Sequence, residues 1–334
     1  MSKGIKEIAR LAGVSITTVS HVVNKTRFVS EKRSELVLKA MKRLNYRPNR
    51  LARSLRRRQS YAIGVILPDI TNPYFADMAR GVEDACFEKS YSAVICNSDG
   101  NSSIEAHYIG MLAEKQMDGI VLVCVGDRSR LPPDAIMQDI PFVMLDREVP
   151  GLMADSIQVD NRLGGRMAAE YLYRLGHRNV ACIGGAPEVF PSWDRIDGFT
   201  DFMRESGVPV PAGRVMAGDF QAESGYALTR KVLARKTRPT AIFAANDLMA
   251  YGAVRALAEA GQRVPADISV VGFDDINLST LFNPPLTTIR QPRLRMGEMA
   301  VQLLLERAAN RNLEARRMML PLELVERQTA GPIS

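Results

Sequence analysis

Beyond residue 60 the chain alternates between short, wholly apolar runs and longer stretches in which apolar residues return every three or four positions. The runs 62–67, 93–96, 120–124, 142–145, 180–183, 241–244 and 269–272 predict strands. The stretches 75–89, 162–175, 195–206, 224–234 and 248–260 predict helices. Strands without a polar face must be covered on both sides, so this alternation predicts parallel sheets clothed by helices. The strands outnumber what one small sheet holds, and the series restarts near Asn179, which predicts two similar lobes.

The first sixty residues carry a different pattern. Ile5, Ile8, Ala9 and Ala12 recur at i, i+3, i+4 and i+7, the stripe of a short amphipathic helix. Gly13 ends it with a sharp turn, and Ser15 is placed to cap a second helix. There Val19, Val22 and Val23 face inward, leaving Thr17, Thr18, His21 and Asn24 outside. Ser30 is placed to cap a third helix, with Val37, Ala40, Met41 and Leu44 as its stripe. Two short helices across a tight turn and a bracing third form a helix-turn-helix unit. After Pro48, Leu51, Ala52 and Leu55 share one side of a helix too short to be stable alone. In the free protein it reads as a flexible basic linker, which does not exclude a second case in which it orders against a copy of itself on DNA. In the second case Leu55, flanked by arginines, suits a wedge between base pairs.

Charge sharpens this picture. Residues 1–60 hold 16 Lys and Arg against 3 Asp and Glu, a net +13. The remaining 274 residues hold 28 against 34, a net −6, so the overall +7 joins two bodies of opposite sign. A basic, hydroxyl-bearing helix fits major-groove reading, with lysines and arginines on phosphates. A bundle with a merely solvated polar face would not need that charge. The four scattered cysteines (Cys86, Cys96, Cys124, Cys182) predict buried thiols in a reducing compartment. The polar start and the lack of an 18-residue apolar run predict a cytoplasmic protein with no membrane partner, and the DNA-reading head predicts association with the nucleoid.

The run IARLAGVSITTVSHVVNK at 8–25 and ARSL at 52–55 resemble the lactose-repressor (LacI/GalR) family. Within 19–29, VSHVVNKTRFV is most similar to its purine and ribose repressors, and the likeness extends through the whole chain. The resemblance implies an all-α helix-turn-helix head at 1–47 and a hinge helix or linker at 48–60. A periplasmic-binding-protein-like α/β core of two doubly wound parallel-sheet lobes follows at 61–334. Its N-lobe is expected at about 61–160 and 292–319, and its C-lobe at about 161–291 and 320–330, with crossings near Asp160, Gln291 and Leu320. Ser15, Ile16, Thr17, Thr18, His21, Asn24, Arg27, Leu55 and Arg56 make up the expected DNA surface. Ile16 departs from the threonine of purine and ribose repressors; it cannot hydrogen-bond but can touch a thymine methyl.

In doubly wound sheets, ligands bind beyond the carboxyl ends of the strands. Asn72, Tyr74, Phe75, Asp146, Arg147, Asn246 and Asp274 follow predicted strands, Phe220 and Gln291 lie beside strand ends, and Arg195 is expected to open a helix. Taken singly, an Asp or Asn there is most often a helix cap. Together, carboxylates, amides, arginines and aromatic rings are what a sugar needs for its hydroxyls and its C–H faces. The body resembles bacterial ribose-binding receptors at these ten positions, with Tyr74 in place of a phenylalanine. Purine repressors carry an aromatic where this chain has Arg147. No cofactor or metal is expected, and the three histidines (His21, His107, His177) lack a nucleophile or metal spacing, so no enzyme is expected. The resemblance therefore implies a homodimeric repressor of sugar-utilisation genes, released from a pseudo-palindromic operator in double-stranded DNA by D-ribose or a similar pyranose. The purine-responsive, co-repressor-dependent regulator remains the alternative. A strand is also expected at 320–326, and no apolar heptad tail for further assembly follows it.

Overall fold

The computed structural model describes residues 4–24, 27–46, 59–125, 140–148, 152–187 and 189–333. The chain divides into two compact units, residues 1–60 and 61–334.

The first unit holds α1 (Ile5–Ala12), α2 (Ile16–Asn24) and α3 (Glu31–Arg43). Ile8, Ala9, Ala12, Val19, Val37 and Ala40 form its core, with Val22, Val23, Met41 and Leu44 packed at the margin. Gly13 ends α1 in the left-handed conformation, φ 63°, which glycine adopts without strain. The Ser15 Oγ accepts from the Thr18 amide at 3.1 Å, so the predicted cap of α2 is formed. Ser30 occupies the cap position of α3 but makes no side-chain bond there. The predicted helix around Leu55 lies outside the described residues.

The second unit contains two six-stranded sheets. The first is built from β1 (Ala62–Leu67), β2 (Ser92–Asn97), β3 (Gly119–Leu122), β4 (Phe142–Leu145), β5 (Asp155–Val159) and, from far along the chain, β11 (Arg317–Leu320). Their order is β11-β5-β4-β3-β1-β2, all parallel. The second holds β6 (Val180–Gly184), β7 (Val215–Ala217), β8 (Ala241–Ala244), β9 (Ser269–Asp274), β10 (Thr287–Arg290) and β12 (Glu323–Val325), in the order β12-β10-β9-β8-β6-β7. Only β12, among these strands, runs antiparallel to its neighbour. The chain passes between sheets at Asp160, at Gln291–Pro292 and at Pro321–Leu322. Pro321 has no amide hydrogen to give a ladder, so the single strand expected at 320–326 is instead two short ones in different sheets.

Helices α4 (Pro73–Glu88), α5 (Ser102–Glu114), α6 (Asn161–Arg174), α7 (Phe190–Glu205), α8 (Ala222–Leu233), α9 (Asp247–Glu259) and α10 (Arg293–Ala309) cover the sheets. The faces of β1 separate as the period-two pattern requires. Ile63, Val65 and Leu67 join Met78 and Val82 of α4 and Ala300 of α10 in one core cluster. Ile66 joins Ile109 and Leu112 of α5 in the other. All four cysteines are buried.

Candidate functional site

In each sheet the strand order reverses beside its first strand: β1 lies between β2 and β3, and β6 between β7 and β8. Loops diverge at such a point and leave a crevice at the carboxyl ends. A cavity of about 430 Å³ lies there, lined from the first lobe by Asn72, Tyr74, Phe75, Asp146 and Arg147 and from the second by Arg195, Phe220, Asn246 and Asp274. Nine of the ten ligand residues expected from sequence thus share one cavity wall. The tenth, Gln291, is buried and bonds two of the others.

A polar chain crosses this site. The Tyr74 hydroxyl donates to Asp146 Oδ1 at 2.5 Å and stands 3.0 Å from Gln291 Oε1. Gln291 Nε2 donates to Asp274 Oδ1 at 2.8 Å, and Arg195 Nη1 reaches the same oxygen at 3.3 Å. At the other end Arg147 Nε contacts Asp146 Oδ2 at 3.3 Å, and its Nη1 donates to the Cys124 carbonyl at 3.1 Å. Burial pushes the Asp274 carboxyl up to about 7 despite the opposing Arg195 charge. Burial, followed by the charges of Asp146 and Asp274, raises the Tyr74 phenol well above its ordinary range, so it remains a neutral donor.

Local structure explains how these groups come to face the cavity. Asn72 and Asn246 are helix caps as well as wall residues. Their Oδ1 atoms accept from the Tyr74 and Met249 amides at 3.0 and 2.9 Å, and Asn246 Nδ2 donates to the Phe220 carbonyl at 3.0 Å. Asp146, Phe220 and Asp274 instead have positive φ values of 64°, 69° and 113°. Aspartate enters the left-handed region readily, as Asp146 does; bulky Phe220, and Asp274 with its φ beyond that region, are the two that need their surroundings to hold them there. Arg195 lies in the second turn of α7, not at its opening, because Pro191 supplies a first-turn start further upstream. A Cβ on Gly165 of α6 would fall 1.8 Å from the Arg195 carbonyl oxygen, so α6 and α7 touch backbone to backbone. From there Arg195 stacks 3.9 Å over Phe273 and donates to Asn161 Oδ1 and the Ala245 carbonyl, each at 2.7 Å.

In the first unit Ser15, Ile16 and Thr17 are exposed at the start of α2, Thr18 and His21 are half-buried, and Arg27 is exposed beyond its end. Asn24 closes α2. Leu55 and Arg56 lie outside the described residues. Ser15 and Thr18 bond each other at 2.9 Å, so part of the expected DNA face also holds the helix start.

Residues 4–49 match the family described as bacterial regulatory proteins, lacI family, and residues 169–330 match the periplasmic binding protein-like domain. Relatives span nearly the whole chain. The HTH-type transcriptional repressor PurR of Photobacterium profundum is 41% identical over 331 residues, covering 99% of each chain. The ribose operon repressor of Escherichia coli (strain K12) is 41% identical over 329 residues, covering 98% of this chain and 99% of its own. The chain belongs to the lacI family of bacterial regulatory proteins. Among solved structures, the lac repressor dimer bound to operator and the anti-inducer ONPF superimposes with a TM-score of 0.87 at 30% identity, over 99% of this chain and 100% of that one. A LacI family transcriptional regulator from Enterococcus faecium with bound ribose gives 0.73 at 29% identity, over 82% and 100%.

This lacI-family chain is thus a DNA-binding regulatory protein and not an enzyme. Among the described residues, no helix is long and apolar enough to cross a membrane. Asp69 is legible as the polar residue that follows the strand predicted at 62–67, whereas Gln221 and Ser192, also in the wall, carry no distinct sequence signal. Asp69 and Gln221 meet across the mouth at 3.4 Å, and Ser192 Oγ accepts from the Gly185 amide at 2.5 Å. Asn161, which orients Arg195, reads in sequence as one more polar residue after an unpredicted strand. Glu105 of α5 accepts from the Val125 amide in the cavity wall at 2.7 Å, and burial raises its carboxyl to about 7.

Proposed function

We propose that the protein is a homodimeric repressor of sugar-utilisation genes, located in the cytoplasm and associated with the nucleoid. Its 1–47 head reads operator half-sites, its 48–60 segment pairs at the operator centre, and its 61–334 body binds the effector, D-ribose or a similar pyranose. The observation that carries the sugar reading is the cavity wall itself. Asp146 and Asp274, each beside an arginine, offer acceptors and donors for adjacent hydroxyls, and Phe75 and Phe220 offer flat apolar faces. The names of the ribose operon repressor and of the ribose-bound regulator support the same ligand. Sugar in the cleft draws the lobes together, disturbs pairing of the 48–60 segments and weakens operator binding, with a coupling of about 1–3 kcal/mol.

The PurR relative, at the same identity, favours a second reading in which a purine strengthens DNA binding. Arg147, lying in the wall 6.0 Å from the Phe75 ring centre, supports the polyol over a flat base. Gel-shift titration of operator DNA with and without ribose or hypoxanthine tests both. Release by ribose supports the first reading. Tighter binding with hypoxanthine, and indifference to ribose, would replace it with the second.

A further inference from the structure

We propose that Tyr74 is a specificity-determining residue whose hydroxyl takes the place of one effector hydroxyl, so that the cleft selects a saccharide lacking, or not using, a hydroxyl at that point. The inference rests on the sugar reading of the cleft. Tyr74 is buried at the second helical position of α4, and its side chain enters the site from a capped, fixed helix start. Its hydroxyl lies 2.5 Å from Asp146 Oδ1 and 3.0 Å from Gln291 Oε1. Both are acceptors. One hydroxyl hydrogen serves them, and the shorter, charge-assisted contact to Asp146 takes it.

The consequences follow from donor and acceptor accounting. Asp146 Oδ2 is engaged by Arg147, and Gln291 Nε2 by Asp274. With the phenol in place, the position between Asp146 Oδ1 and Gln291 Oε1 is filled before any ligand arrives, while the carboxylate keeps further lone pairs for hydroxyls elsewhere in the cleft. A phenylalanine would keep the ring and remove this donor. Asp146 Oδ1 and Gln291 Oε1 would then face a gap of one oxygen atom with no proton between them. A saccharide hydroxyl is the group that fits such a gap, because it supplies a hydrogen to one acceptor and the volume of the missing oxygen. Leaving buried acceptors unpaired is far more costly than leaving a spare ligand hydroxyl in water. The two proteins should therefore rank the same deoxy sugars differently.

The test is calorimetric binding of ribose and the four mono-deoxy derivatives of ribopyranose to the wild-type protein and to Tyr74→Phe. One derivative should bind the wild type within about threefold of ribose, and the same derivative should fall at least about tenfold behind ribose on Tyr74→Phe. Gln291→Leu removes the second acceptor and leaves the phenol on Asp146. It should keep the wild-type ranking even if overall affinity falls. An unchanged ranking on a folded Tyr74→Phe protein, or the same reversal in Gln291→Leu, overturns the proposal while leaving the sugar reading intact. Failure of the wild type to bind any saccharide overturns the sugar reading and this proposal with it.

Discussion

Arg195 Nη1 sits 3.3 Å from Asp274 Oδ1, with both side chains buried. The pair joins α7 to the end of β9, and the same guanidinium serves Asn161 and the Ala245 carbonyl. Removing it takes the charged partner from Asp274, which keeps Gln291, and leaves Asn161 Oδ1 and the Ala245 carbonyl without this buried donor. Arg195→Leu should lower the unfolding free energy by about 3–5 kcal/mol. Arg195→Lys, a point charge that cannot span three acceptors, should fall between the two. Urea denaturation measures both, and calorimetry on the folded fraction should find ribose binding lost in Arg195→Leu. Wild-type affinity in that variant would remove Arg195 from the ligand site.

The Asp274 carboxyl is raised from 3.8 to about 7, chiefly by burial. Folded, it therefore holds its proton across a window in which the unfolded chain has released it. Stability falls as pH rises wherever the folded state binds more protons. Its contribution thus declines from about pH 4 to about pH 7. Glu105, raised to about 7, and Asp247, raised to about 6, are shifted by burial in the same sense. Asp274→Asn should flatten the fall in unfolding free energy between pH 5 and 7 in denaturation curves of the empty protein. A slope equal to wild type would place the titration elsewhere.

Elements are legible in the sequence where one physical signal dominates. The strands at 62–67, 142–145 and 241–244 are wholly apolar because both faces are covered, and they match β1, β4 and β8. Strands β5 and β10 were missed because Asp155, Ser156, Thr287 and Thr288 break the apolar run. Each is buried, and its polarity is met by partners distant in sequence, such as Arg307 on Asp155 and Asp247 on Thr288. The candidate residues of the cavity wall were legible because they lie at strand ends in a fold with a known crevice. The Tyr74–Gln291–Asp274 chain was not, because its members lie as far as 217 residues apart.

Asp155 is fully buried between Arg307, at 2.8 and 3.0 Å, and Arg316, which also donates its backbone amide at 2.8 Å. These contacts fix the start of β5 to the end of α10 and to the residue before β11. Burial works to raise this carboxyl, but the arginine hydrogen bonds outweigh it and bring it down to about 2. Asp155 therefore contributes stability that is complete above roughly pH 4 and is lost as pH falls toward 2. Asp155→Asn should cost about 3 kcal/mol at neutral pH, the lower end for a broken buried pair because Arg316 is one-third exposed. The difference from wild type should shrink on acidification. A constant difference from pH 7 to 3 would mean that lost packing, not lost charge, explains the effect.

Ser15 ties the start of α2 through its bond to the Thr18 amide, while the neighbouring Ile16 and Thr17 side chains stand exposed. Capping and base reading are therefore separable by substitution. Ser15→Ala should lower the stability of the head by about 1 kcal/mol and weaken binding to all DNA sequences alike. Ile16→Thr should leave the melting temperature of the head unchanged, because half of the Ile16 surface is exposed. It exchanges an apolar contact for a hydroxyl, so it should alter the preferred base at one operator position by about 1–3 kcal/mol. Selection from a randomised operator library, run on both variants, reads the difference. A changed base preference in Ser15→Ala, or an unchanged one in Ile16→Thr, would mean that α2 docks in a register other than the one that turns Ile16 toward the bases.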